Sequence, residues 1–120
     1  MKITERARLD SGMYVMDAAP TVNRVRHRMP VARGACPYSR NPVRGWVQIA
    51  YHPAGKVLEV VALHQRVQEI SSGMNGASSA EQVATDIAAA CAGALGVAVN
   101  VLLVLHLRPA QRIDITVETP

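Results

Sequence analysis

Apolar and polar positions alternate from Thr21 to Val31: Val25, His27, Met29 and Val31 point one way, and Arg24, Arg26 and Arg28 the other. The period of two predicts a half-buried strand with a basic face. His27 falls on the apolar side, where a hydrogen-bonded core histidine and a catalytic one are both open readings. Trp46 to Tyr51 is rich in β-branched and aromatic residues and predicts a second strand, ended by the turn residues His52-Pro53-Ala54-Gly55. From Lys56 to Val61 the pattern passes into a helix, with Val60, Leu63, Val67 and Ile70 at helical spacing and Ser71-Ser72-Gly73 as its end. The small, polar stretch from Ser71 to Ser79 reads as a loop between helices.

Ser78-Ser79-Ala80-Glu81 matches a capping box, with the serine at the N-cap and the glutamate three residues on. The second helix then buries Val83, Ile87, Cys91 and Leu95, alanines let it approach a neighbour closely, and Gly96 is placed to end it. In Val97 to Leu107 the odd positions are apolar throughout, and Leu102 and Val104 make the other face apolar too. A strand apolar on both sides is covered on both sides, and with two helices available, another subunit is the natural second cover. Arg108-Pro109-Ala110-Gln111 turns the chain into a last strand, where Ile113, Ile115 and Val117 alternate with Asp114, Thr116 and Glu118. Only residues 1–20 show neither period and read as an arm. The order is ββααββ, an α+β domain of residues 21–120 with two helices on an antiparallel four-stranded sheet.

A chain of 120 residues, 49% of them apolar, suits one domain with a real core. Its two cysteines are too few for a disulfide framework, and no charged segment followed by an apolar one opens the sequence, so a reduced, cytoplasmic protein is expected. The run from Val97 to Leu107, interrupted by Asn100 and His106, is far short of the ~20 residues needed to cross a bilayer, and no membrane partner is expected. Charge is uneven. Residues 1–45 hold nine basic and three acidic side chains of a chain whose net charge is +4. A basic front third fits an anionic partner such as a nucleotide, RNA or DNA, or simply a solvated face.

The candidate chemistry lies in Ala35-Cys36-Pro37-Tyr38-Ser39-Arg40-Asn41-Pro42. One thiol stands just ahead of a strand, two prolines fix the backbone, and Arg33, Arg40 and Arg44 surround it in sequence, a setting that lowers a thiol's pKa and makes it a nucleophile. Cys91, on the buried stripe of a helix, reads as packing.

The element order and the residues at its joints resemble the tunnelling-fold superfamily, whose members bind purines or pterins between subunits; the likeness spans roughly Thr21 to Val117. Gly45 to Leu58 (GWVQIAYHPAGKVL) is similar to GTP cyclohydrolase I, whereas Cys36-Pro37, Asn41-Pro42 and Glu59 ahead of Leu63 look more like the QueF family, which acts on the nitrile of 7-cyano-7-deazaguanine. The cyclohydrolase resemblance implies a zinc held by a cysteine, a histidine three residues on, and a second cysteine two residues after a histidine. Here Cys36 is followed by Ser39 and His106 by Leu107-Arg108, so one ligand of three remains, short of the three a catalytic zinc takes, and zinc is disfavoured. The QueF resemblance implies a Cys36 thiolate that adds to the nitrile, giving a thioimide that is reduced by NADPH or converted by ammonia to an amidine. The reductase signature Glu-Ser-Lys-Ser-Leu-Lys is replaced by Glu59-Val60-Val61-Ala62-Leu63-His64, so no cofactor is expected and amidine formation is favoured.

The family aspartate seven residues after the cysteine is Val43 here. His64 is the candidate acid/base in its place, with His52 beside it and a surface role open for both. The resemblance also implies substrate-binding roles for Glu81, Glu59 and Ser39. Glu81 would accept hydrogen bonds from a guanine-like edge, unless it only closes the capping box, and Glu59 would line the pocket or merely mark a strand-to-helix junction. A homo-oligomer of pentamer or decamer type is implied. The alternatives are a cyclohydrolase-like enzyme acting on GTP and a non-catalytic purine- or RNA-binding module.

Overall fold

In the computed structural model residues 13–32, 34–35, 42–72, 74, 77–107 and 110–120 are described. Strands β1 (Val15–Asp17), β2 (Val25–Pro30), β3 (Gly34–Ala35), β4 (Pro42–Tyr51) and β5 (Lys56–Leu58) precede helices α1 (Val60–Ser71) and α2 (Ala77–Leu95), and β6 (Val99–Leu107) and β7 (Gln111–Glu118) follow. The main sheet is antiparallel in the order β2-β4-β6-β7, with β3 paired to the start of β4. The α+β, ββααββ arrangement stands, with three short strands added to it.

Two of those strands form a separate sheet. Val15 pairs with Leu58 and Asp17 with Lys56, whose ammonium also bonds the Asp17 carboxylate. Met13 and Val15 are buried, so the stretch read as an arm contributes to the core from Met13 onward.

In the main sheet the pleat sorts side chains as the alternation predicts. Val47, Ile49 and Tyr51 on β4 and Val99, Val101, Leu103 and Leu105 on β6 are buried towards the helices. Gly45 lies where β4 and β6 crowd each other: an added Cβ would stand 2.1 Å from the Val104 carbonyl oxygen and 2.7 Å from Leu105. On the other face run Trp46 and Gln48 of β4, Leu102 and Val104 of β6, and Asp114 and Thr116 of β7.

Helix α2 buries Val83, Ile87 and Cys91 together with Ala80, Ala84, Ala88 and Ala94. It ends at Gly96 (φ 72°), whose N–H donates to Ala92 O at 2.8 Å. Three sequence expectations need correction here. The helix starts at Ala77, ahead of Ser78, so Glu81 lies beyond the position a capping box requires. On α1, Val60 is 62% exposed because it opens the first turn, and the buried residues are Ala62, Leu63, Val67 and Ser71. Ser71 belongs to the helix rather than the loop; its Oγ donates to Val67 O (2.7 Å) and accepts from Ala32 N (2.8 Å), tying α1 to the chain just beyond β2.

Among the described residues no helix is long and apolar enough to cross a membrane.

Candidate functional site

Cys36 and Ser39 lie outside the described residues. Their loop is anchored nonetheless, because Ala35 pairs with Pro42 and Gly34 with Val43, which sets both its ends at the start of β4. The sheet therefore has two ends, one at this loop and the other where Val25, Tyr51 and Val99 meet in register.

The helices run between those ends. Helix α1 begins beside Tyr51, whose hydroxyl accepts from Leu58 N (2.9 Å), and finishes beside β2, where Gln68 Nε2 donates to Pro30 O (2.7 Å). Helix α2 starts near the end of α1, where Met74 N donates to Ser71 O, and returns to Val99. Glu81, near the start of α2, thus lies towards the loop end. Its side chain is exposed and has no hydrogen-bond partner among the described residues, so the carboxylate is free to accept bonds from a ligand.

Glu59 lies at the opposite end and is already engaged. As N-cap of α1, with φ −74° and ψ 129°, it accepts from Val61 N through Oε1 (2.8 Å) and from Ala62 N through Oε2 (2.7 Å). Its own N–H donates to Tyr14 O (2.9 Å). Both carboxylate oxygens answer helix N–H groups that lack intrahelical partners, and the negative charge suits the helix dipole. Glu59 is the cap of α1 at the strand-to-helix junction. His64 is exposed on the next turn of α1. One chain therefore brings Glu81 and the Ala35–Pro42 pairing, the two ends of the segment that holds Cys36, to one end and leaves Glu59 and His64 towards the other.

His27 is paired within the fold. Its Nε2 lies 2.8 Å from the Tyr51 hydroxyl. The same hydroxyl accepts from Leu58 N (2.9 Å); burial pushes the His27 pKa down and the Tyr51 pKa up to about 12. Burial likewise raises the Cys91 thiol to about 12, as befits a packing residue. His52 Nδ1 donates to Asn23 O at 2.9 Å, holding the turn after β4.

Periodicity alone missed a set of side chains on the open face. Arg28 donates to Gln48 Oε1 (2.9 Å) and stands 4.8 Å from the Trp46 ring centroid. Arg44, His106 and Arg112 follow in register nearer the loop end. A cavity of about 250 Å³ lined by Arg24, Tyr51, His52, Asn100 and Glu118 lies at the Tyr51 end, away from the loop. Among the described residues no three histidine, cysteine, aspartate or glutamate side chains are grouped to hold a metal ion.

No family model and no curated protein sequence matches the chain. A crystal structure of the archaeosine synthase QueF-Like in the apo form is similar to it, with a TM-score of 0.67 at 20% identity over 85% of this chain and 96% of that one. Over that shared length the chain has the fold of the QueF-like structure.

Proposed function

We propose that the chain is a QueF-like enzyme that binds 7-cyano-7-deazaguanine at a subunit interface and attacks its nitrile with Cys36. The observation that carries this reading is the placement of the free Glu81 carboxylate towards the end where the Cys36 loop is anchored, in a fold shared with an archaeosine synthase. Glu81 accepts hydrogen bonds from the ring N–H and amino group of the base. The Cys36 thiolate adds to the nitrile carbon, one C–N π bond opens, and the nitrogen takes a proton to give a neutral thioimide. Ammonia then adds to that carbon, the C–S bond breaks, the thiolate leaves, and an amidine remains, so nitrile and ammonia are consumed one for one. His64, set towards the other end of its own chain, reaches this site from a neighbouring subunit and carries the proton.

The test is incubation with the free nitrile base and isotopically labelled ammonium, followed by mass spectrometry of the base. Labelled amidine from the native protein and none from Cys36→Ala is the expected result. Turnover that persists in Cys36→Ala would overturn the covalent route, and no conversion beside an active QueF-like control would overturn the reaction.

A further inference from the structure

Near the Tyr51 end, the face of the sheet away from the helices carries opposite charges at its two rims. Arg26 of β2 pairs with Ala50 of β4, Ala50 with Asn100 of β6, and Asn100 with Glu118 of β7; Arg24 stands two residues before Arg26, on the same side by alternation. The cavity of about 250 Å³ lies between the rims, lined by Arg24 and His52 on one side and by Asn100 and Glu118 on the other. Ala50 and Ala98 complete its lining, and their short side chains leave the space open.

Arg24 and Glu118 do not answer each other. β2 and β7 are the two outer strands of the main path, three strand spacings or about 14 Å apart, and no ion pair joins these two side chains. Arg24 has no hydrogen-bond partner among the described residues, and Glu118 receives only a long contact from the Asn100 amide, Nδ2 to Oε1 at 3.4 Å. His52 uses Nδ1 on Asn23 O, so its neutral ring keeps Nε2 as an acceptor.

These groups select a ligand by its charges. A simple anion drawn to Arg24 meets the Glu118 carboxylate, and a simple cation drawn to Glu118 meets the Arg24 guanidinium. A molecule with a carboxylate and an ammonium on one carbon satisfies both rims: the guanidinium fork binds both carboxylate oxygens, and the ammonium donates to Glu118 and to a neutral acceptor beside it. The volume is below the roughly 300–1,000 Å³ of pockets for drug-sized ligands, so the ligand is small. We propose that this cavity binds a free α-amino acid with a short polar side chain, which the Asn100 amide and His52 can meet. The site does not rest on the function proposed above.

The test is saturation-transfer NMR titration of the full chain with L-serine, L-asparagine and L-glutamine. At least one should bind. Its methyl ester, which lacks the carboxylate, and its N-acetyl derivative, which lacks the ammonium, should each bind about tenfold or more weakly, the size of one charge-assisted contact. Arg24 and Glu118 are exposed, so substituting them leaves the core intact. In Arg24→Gln the amino acid and its ester should bind within about threefold of each other, and in Glu118→Gln the amino acid and its N-acetyl derivative should do so. Arg28→Gln, whose native side chain is held by Gln48 and Trp46, should keep both preferences. No binding of any of the three amino acids, derivatives that bind as tightly as the parent, or preferences unchanged in Arg24→Gln and Glu118→Gln would overturn the site. Failure of Cys36 to react with the free nitrile base would remove the proposed chemistry alone and leave these results standing.

Discussion

Tyr51→Phe removes one oxygen and should cost the fold disproportionately. Tyr14 and Glu59 are joined by a hydrogen bond across the small sheet, so by antiparallel alternation the next pair, Val15 and Leu58, is not, and the Leu58 N–H points out of the ladder. Its partner is the Tyr51 hydroxyl at 2.9 Å, in a place where Leu58 is 2% and Tyr51 3% exposed. Phenylalanine leaves that N–H buried without an acceptor, at about 1–3 kcal/mol, and also loses the bond to His27, at about 1 kcal/mol. For a domain of this size, each kcal/mol lowers Tm by about 3–5 °C, so a fall of roughly 6–20 °C is expected.

Thermal melts at fixed protein concentration read this directly. A change of less than about 2 °C would mean that the hydroxyl does not bridge the two sheets. Acid pH probes the same pair. Burial lowers the His27 pKa in the folded state below its ordinary 6.5, so the unfolded chain takes up the proton first. Stability should therefore be complete above pH 6.5 and fall as pH drops from there through the folded value, by at most about 1.4 kcal/mol per unit. His27→Gln should abolish that contribution.

Glu59→Ala should remove the cap of α1 and lower stability by about 0.5–2 kcal/mol, while Glu81→Ala should leave Tm unchanged and weaken binding of the base; the reverse pattern in melts and titrations would exchange the roles of the two glutamates. Gly45→Ala forces a Cβ against the Val104 carbonyl and should cost about 1–3 kcal/mol or more in denaturant unfolding, and a neutral result would contradict the close approach of β4 and β6. The Cys91 thiol should resist a thiol reagent in the native protein. Its raised pKa predicts stability that is full below the thiol's ordinary value of 9.0 and declines as pH rises from there to about 12. Rapid labelling of Cys91 without unfolding would refute its burial.

The main strands and both helices could be read from the sequence because each repeats a pattern long enough to show its period. Val47, Ile49 and Tyr51 on β4 and Val83, Ile87 and Cys91 on α2 are buried as their spacing implies. β1 and β5 have three residues each, too few for a period, and their pairing across the chain left no local signal. Helix starts misled for a related reason. A Ser-x-x-Glu match drew the cap of α2 to Ser78, whereas the cap of α1 is Glu59, a residue type outside the usual N-cap set, selected because its carboxylate reaches both Val61 N and Ala62 N. Arg44, His106 and Arg112 are far apart in sequence and become neighbours only through the register of β4, β6 and β7. The division of Glu81 from Glu59 and His64 was hidden for the same reason, since the direction of each helix along the sheet decides it.

Intact-protein mass spectrometry after exposure to 7-cyano-7-deazaguanine without ammonia tests the central claim most directly. The account predicts one covalent adduct per chain, mapped to Cys36, absent from Cys36→Ala and slowed in Glu81→Ala. An unmodified native protein, under conditions where a QueF-like control forms its thioimide, would contradict it.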